Sequence, residues 1–146
     1  MILVTGSTGL VGSHLLYKLA NKKEKVRAIY RTKRKLNNVK NVFSTYTKDY
    51  KNLYNSIEWI QADILDIPTL NEAFNNVTHV YHCAAFVSFE PNKYQLLRRT
   101  NIEGTANMVN LALKYQVDKF AYVSSIAALG VEQTIPLVNE DHHWNS

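Results

Sequence analysis

Cysteine is almost absent: Cys83 stands alone in 146 residues. That excludes an internal disulfide framework and any cysteine-rich metal site, and no metal is expected. Long apolar runs are missing too. None approaches the ~18 residues needed to cross a bilayer, so neither a transmembrane helix nor a membrane partner is expected. The N-terminus has no basic segment ahead of its apolar run and no small-residue cleavage site. It does not read as a signal peptide, and a cytoplasmic protein is the default. Prolines number three and glycines five, and neither clusters into a linker. There is no internal repeat and no low-complexity tract. The chain therefore reads as one domain, residues 1–146, long enough to bury a core.

Acids are scarce where bases crowd. Between Lys18 and Lys51, twelve Lys and Arg stand against two acids, Glu24 and Asp49, so this stretch carries about +10 within a net charge of +5. Such a block suits a nucleic acid, a membrane surface or a phosphorylated ligand. The nearby aromatics Phe43, Tyr46, Tyr50 and Tyr54 share one face, with Leu53, of a helix predicted from Val42 to Tyr54. That spacing packs a helix on a core rather than building a stacking platform for bases. No nucleic-acid partner is expected.

Apolar β-branched runs alternate with helical patterns along the chain. Strands are predicted at "ILVT" (2–5), Lys25–Tyr30, "IEWIQA" (57–62), "HVYHCA" (79–84) and "FAYVSS" (120–125). Helices are predicted at Leu10–Asn21, Val42–Tyr54, Pro68–Asn75 and Asn92–Tyr115, with irregular chain beyond Ile126. In the first helix, Leu10, Val11, Leu15, Leu16, Leu19 and Ala20 fall at helical spacing. The alternation argues for an α/β fold, a parallel sheet covered on both faces and joined by right-handed crossovers.

Three glycines, Gly6, Gly9 and Gly12, join the first strand to the first helix in "TGSTGLVG". A strand that ends in glycines and runs into a helix gathers backbone N–H groups at the positive end of the helix dipole, and an anion fits there. Gly6 allows the tight turn, Gly9 lets a pyrophosphate approach the backbone, and Gly12 lets the helix pack on the strand. Ser7 and Thr8 place hydroxyls beside the phosphates, and Leu10 and Val11 continue the turn. This context makes the segment a dinucleotide fingerprint and the fold a Rossmann-type doubly wound sheet. Where the pattern expects an acid at the end of the second strand, the sequence reads "AIYRTKRKL". Arg31 there suits a ribose bearing a 2′-phosphate, because a guanidinium binds it through paired, charge-assisted hydrogen bonds. NADP is the expected cofactor, with NAD the alternative.

Several stretches together resemble the extended short-chain dehydrogenases/reductases of the NAD-dependent epimerase/dehydratase type, most closely their dihydroflavonol reductase-like members. "TGSTGLVG" is similar to that family's TGxxGxxG turn. "ADILD" resembles the segment after the third strand, whose acid contacts the adenine, here Asp63 with Ile64 beside it. "YHCAA" resembles the segment that passes the cofactor's ribose and pyrophosphate, here Ala84 and Ala85. "NIEGTANMVNLAL" resembles the long-helix pattern, with Asn101 at a buried asparagine that ties backbone together. "FAYVSSIAALG" resembles the fifth strand and its serine motif, with Ser125 at the catalytic serine and Ser124 before it. The resemblance runs in order through nearly the whole chain. It implies hydride transfer to or from a small-molecule carbonyl or alcohol, and a homodimer through the long helix is common among such proteins. "VRAIYR" favours the reductase branch. A sugar-nucleotide epimerase or dehydratase with retained NAD, and a non-catalytic dinucleotide-binding protein, are the other readings.

Chemistry in such proteins resembles a Ser/Thr–Tyr–Lys assembly in which the tyrosine is general acid/base, the lysine lowers its pKa and the serine binds the substrate oxygen. The Tyr and Lys follow the fifth strand at Y-x-x-x-K, yet no Tyr and no Lys follows Ser125 here. The one such spacing, Tyr115 to Lys119, precedes the fifth strand at a helix end, where the two side chains need not share a face. The chain is expected to be the front part of a longer enzyme, truncated after the fifth strand, binding cofactor without turning over. "FVSFEPNKY" after Ala85 is a candidate substrate wall through Phe86, Phe89 and Tyr94. His82 reads as a hydrogen-bonded strand residue, Cys83 as a small buried hydrophobe, and His79, His142 and His143 fall in no pattern.

Overall fold

A computed structural model of the chain describes residues 1–128 and Asn139. Five strands, β1 (Ile2–Thr5), β2 (Val26–Tyr30), β3 (Glu58–Gln61), β4 (His79–His82) and β5 (Lys119–Tyr122), form one parallel sheet in the order β3-β2-β1-β4-β5. Ile2 lies opposite Val26 on one side and His79 on the other, Arg27 opposite Glu58, and His79 opposite Lys119. The helices are α1 (Leu10–Asn21), α2 (Leu36–Tyr46), α3 (Tyr50–Asn55), α4 (Ile67–Ala73), α5 (Tyr94–Arg98) and α6 (Gly104–Lys114). A π-helical turn, Arg99–Glu103, links α5 to α6 without a break.

Strand β1 is apolar from Ile2 to Val4 because it is covered on both faces, and it ends at the buried Thr5. Its successive residues Leu3 and Val4 are each fully buried but enter different cores. Leu3 joins Ile29, Ile64, Leu70, Phe74, Val80, Met108 and Leu111 beneath α4 and α6. Val4 joins Leu16, Leu19, Ala28, Val39, Phe43 and Ile57 beneath α1 and α2. The one buried arginine, Arg27 on β2, is a tie rather than a ligand. It pairs with Glu58 (Nε–Oε1 3.0 Å), and its Nη1 donates to the carbonyls of Ala73 (2.8 Å) and Asn75 (2.6 Å), anchoring the end of α4 to the sheet.

Three expectations need correction. The aromatic face of residues 42–54 is not one helix. Thr47 turns to extended backbone (φ −154°, ψ 145°) and splits it into α2 and α3. Phe43 is still core, and Tyr50, Leu53 and Tyr54 pack against it, but Tyr46 is exposed and stacks on Tyr17. Leu10 and Val11 are not on the buried face of α1: they lie in its first turn, 77% and 51% exposed. The fifth strand ends at Tyr122, so Ser124 and Ser125 lie beyond it, exposed, before the short 3₁₀ turn Ile126–Ala128. His142 and His143 fall outside the described residues.

Candidate functional site

The sheet order reverses between β1 and β4, and a doubly wound sheet opens a crevice at that point, outside the carboxyl ends of its strands. There β1 runs into the glycine turn. Gly6 has φ +63°, and a Cβ on it would stand 2.5 Å from the Cys83 carbonyl atoms and 2.6 Å from the Ala84 nitrogen. Only glycine fits both the backbone and the space. The Gly9 N–H donates to the Gly6 carbonyl (2.9 Å) and the Ser13 N–H to the Gly9 carbonyl (3.0 Å). Gly9 ends in extended backbone just before α1, with no side-chain cap and no acid in the first turn. The N–H groups of that first turn have no partner within the helix and carry its positive end. Gly12 sits against the turn so closely that a Cβ would run into the Gly6 carbonyl.

Ser7 departs from its expected place beside the phosphates. It is fully buried, and its Oγ donates to the Ile29 carbonyl (2.6 Å), which ties the turn to β2. Thr8 remains half-buried at the cleft.

The end of β4 is held by a polar relay. The Ala84 N–H donates to Thr5 Oγ1 (3.1 Å), Thr5 Oγ1 lies 2.7 Å from His82 Nδ1, and His82 Nε2 lies 3.0 Å from Thr105 Oγ1 on α6. His82 is fully buried. Burial pushes its pKa down to about 4, so at neutral pH it is the uncharged ring that links β1, β4 and α6. This is the hydrogen-bonded strand histidine the sequence suggested. Asn101, in the π turn, accepts from the Phe86 N–H (2.8 Å) and donates to the Phe86 carbonyl (2.9 Å). Its amide thus clasps the chain leaving β4, as expected. Cys83 is half-buried rather than core, its thiol pKa raised by burial, and it lines the cleft.

The cleft is walled by Gly6, Thr8 and Gly9 from the turn, and by Ala84 and Ala85 after β4. Ile29 to Arg31, Lys35 and Asn38 close it on the β2 side, and Ala62 and Ile64 after β3. Of the proposed site residues, the structure brings Gly6, Thr8, Gly9, Arg31, Ile64, Ala84 and Ala85 to this wall. Gly12, Ser7, Leu10 and Val11 form or continue the turn behind it. Asp63 stands at its rim, its Oδ2 3.8 Å from Arg31 Nη1 across two half-exposed side chains. Asp63 also caps its own turn, accepting from the Leu65 N–H (3.0 Å). Sequence reasoning missed Lys35, Asn38 and Thr100 as lining residues. Lys35 was visible as a base four residues past Arg31, but Thr100 enters through the π turn, which periodicity does not encode.

Ser124 and Ser125 leave the sheet at the same carboxyl edge, outside the cleft wall. The spacing at Tyr115 and Lys119 is not a catalytic pair. Gln116 (φ 53°) reverses the chain after α6, and Lys119 begins β5. Tyr115 is half-buried: it stacks on Phe74 and its hydroxyl donates to Asn71 Oδ1 (3.0 Å). Phe89 and Tyr94, expected as part of a substrate wall, are exposed, 99% and 62%, and are not among the residues that wall the cleft. Among the described residues, no three His, Cys, Asp or Glu gather into a metal-binding group, and no helix is long and apolar enough to cross a membrane.

Comparison with known proteins agrees with this geometry. The chain is 31% identical over 144 residues to UDP-glucose 4-epimerase of Dictyostelium discoideum, which covers 95% of this chain and 40% of that protein. It is 27% identical over 147 residues to dihydroflavonol 4-reductase of Callistephus chinensis, covering 99% and 39%. The chain thus spans about two fifths of the length of these relatives. A solved short-chain dehydrogenase/reductase superfamily protein from Agrobacterium tumefaciens, with bound NAD, superposes with a TM-score of 0.76 at 27% identity, over 98% of this chain and 38% of that one. The model of the NAD-dependent epimerase/dehydratase family matches residues 2–145, and the chain belongs to that family.

Proposed function

We propose that this chain is the cofactor-binding part of an NADP-dependent oxidoreductase that reduces a carbonyl, or oxidises an alcohol, on a small molecule. The observation that carries the reading is the rim of the cleft at the end of β2, where Arg31 and Lys35 stand and β2 ends in no acid. Two cations there favour a 2′-phosphate over a bare ribose. The residues fit a dinucleotide on further grounds. The Gly6–Gly9 turn leaves backbone N–H groups at a helix start, Gly6 allows close approach, and Thr100, which lines the cleft, has a hydroxyl without a partner among the described residues.

In this reading the first turn of α1 and the Thr8 hydroxyl hold the pyrophosphate. Arg31 and Lys35 hold the 2′-phosphate. Ile64 with Asp63 bounds the adenine, and Ala84 and Ala85 let the sugar–phosphate chain pass. A bound nicotinamide supplies or takes up the hydride. Ser125 orients a substrate oxygen by hydrogen bonding, and the general acid/base is supplied by residues outside 1–146.

A second reading, an NAD-dependent epimerase or dehydratase, draws on Asp63. Its carboxylate beside Arg31 can accept from ribose hydroxyls and offset the guanidinium charge. Titration with NADPH and NADH at one salt concentration separates the two. The oxidoreductase reading expects tighter NADPH binding. It expects Arg31→Ala to weaken NADPH by about 1.5–3 kcal/mol, the range of hydrogen bonds to a charged group, and to leave NADH nearly unchanged. A preference for NADH, or equal losses for both, overturns it in favour of the second.

A further inference from the structure

We infer that Thr100 is a binding residue whose hydroxyl hydrogen-bonds a sugar–phosphate oxygen common to NADH and NADPH. The inference rests on the dinucleotide reading above and adds a residue to it. Thr100 is 4% exposed, yet its Oγ1 has no hydrogen-bond partner among the described residues. A threonine inside a helix ordinarily settles its hydroxyl on a carbonyl one turn back. Thr100 does not, and it lies in the π turn Arg99–Glu103, where the helical register is offset and functional groups are often displayed. The residue after it is committed elsewhere, since Asn101 spends its amide on Phe86. That clasp fixes the turn and, with it, the position of Thr100.

Thr100 also lines the cleft. The lining after β3 and β4 consists of Ala62, Ile64, Cys83, Ala84 and Ala85, of which Cys83 alone has a polar side-chain atom, a weakly hydrogen-bonding thiol. The threonine hydroxyl is therefore the strongest hydrogen-bonding side-chain group among them for a ligand oxygen. Buried polar groups without partners are rare and costly; the Thr100 hydroxyl is itself closed to solvent, and a turn about χ1 toward the cleft that the residue lines would let a ligand oxygen supply the missing partner. Arg31 belongs to the other side, at the end of β2. The two residues thus read different parts of the nucleotide: Arg31 the 2′ substituent, Thr100 an atom that both cofactors share.

The test compares wild type with Thr100→Val, which keeps the shape and removes the hydroxyl, and Thr100→Ser, which keeps the hydroxyl. Melting is followed without ligand, and NADPH and NADH are titrated by calorimetry. Removal of an unpaired buried hydroxyl should raise the ligand-free melting temperature of Thr100→Val by about 2–4 °C. Its affinity for both nucleotides should fall by the same factor, about 3- to 10-fold, the range of one neutral hydrogen bond. Thr100→Ser should bind nearly as wild type. Wild-type affinity in Thr100→Val, or an equal loss in Thr100→Ser, overturns the assignment while the dinucleotide reading stands. A loss confined to NADPH overturns it as well, since it would place Thr100 at the 2′-phosphate. Failure of wild type to bind either nucleotide overturns the dinucleotide reading, and this inference with it.

Discussion

One methyl group separates the roles of the glycines in the turn. At Gly12 a Cβ meets the Gly6 carbonyl, a backbone atom that cannot swing aside; at Gly9 it meets the same oxygen at 3.2 Å, a tight contact that a small shift relieves. Gly9 also has an ordinary extended backbone, φ −85°. Gly12→Ala should therefore cost about 2–3 kcal/mol of stability, as overpacking does. Gly9→Ala should cost under about 1 kcal/mol, yet it adds a carbon at the cleft wall and should weaken nucleotide binding. Denaturant midpoints and NADPH titration of the two variants check this; equal destabilisation by both would refute the packing argument. At this scale the sequence was informative wherever a residue type has one physical use. The roles of Gly6 and Gly12, and a backbone-tying role for Asn101, were legible, though not that its partner is Phe86. The commitment of Ser7 to Ile29 was not, because a serine in a glycine turn has several acceptors within reach and only the fold selects one.

His82 joins three elements, and its titration should be felt by all of them. Its pKa is held at about 4 by burial, below the ordinary 6.5. In the unfolded chain the ring takes up a proton as the pH falls through 6.5, whereas the folded protein resists until about 4. The unfolded state therefore binds more protons between those values, and stability rises with pH across that window and is lost as pH falls through it. The full contribution is at most about 3 kcal/mol. Melting of wild type should drop from pH 7 to pH 4.5, and His82→Gln, which keeps hydrogen-bonding groups but does not titrate, should show a shallower drop. An unchanged slope in the variant would assign the acid sensitivity elsewhere. The elements themselves were mostly legible, since a strand buried on both faces and a helix with one buried stripe leave distinct periods. The failures occurred where polar residues override the period. The aromatic stripe ran on from Phe43 to Tyr54, but Thr47 accepts from the Asp49 N–H and Asp49 accepts from Asn52 Nδ2, a local network that starts a second helix. The π turn has no periodic signature, so Thr100 went unseen.

At the scale of the whole molecule, the proposed reading assigns binding and chemistry to different lengths of chain. The glycine turn, the β2 rim, the Ala84–Ala85 wall and the π turn all lie within residues 1–128 and meet at one end of the sheet. The acid/base pair that the family resemblance implies has no counterpart within residues 1–146, because no Tyr or Lys follows Ser125 and the Tyr115 hydroxyl is committed to Asn71. A hydride transfer that moves a proton without a positioned general acid forfeits roughly 10²–10⁴ in rate. This chain should therefore bind NADPH saturably yet leave nicotinamide absorbance unchanged when aldehydes and ketones are added. Sustained loss of that absorbance, abolished by Ser125→Ala, would mean that a group within 1–146 supplies the proton, and the division between binding and chemistry would have to be redrawn inside this sheet.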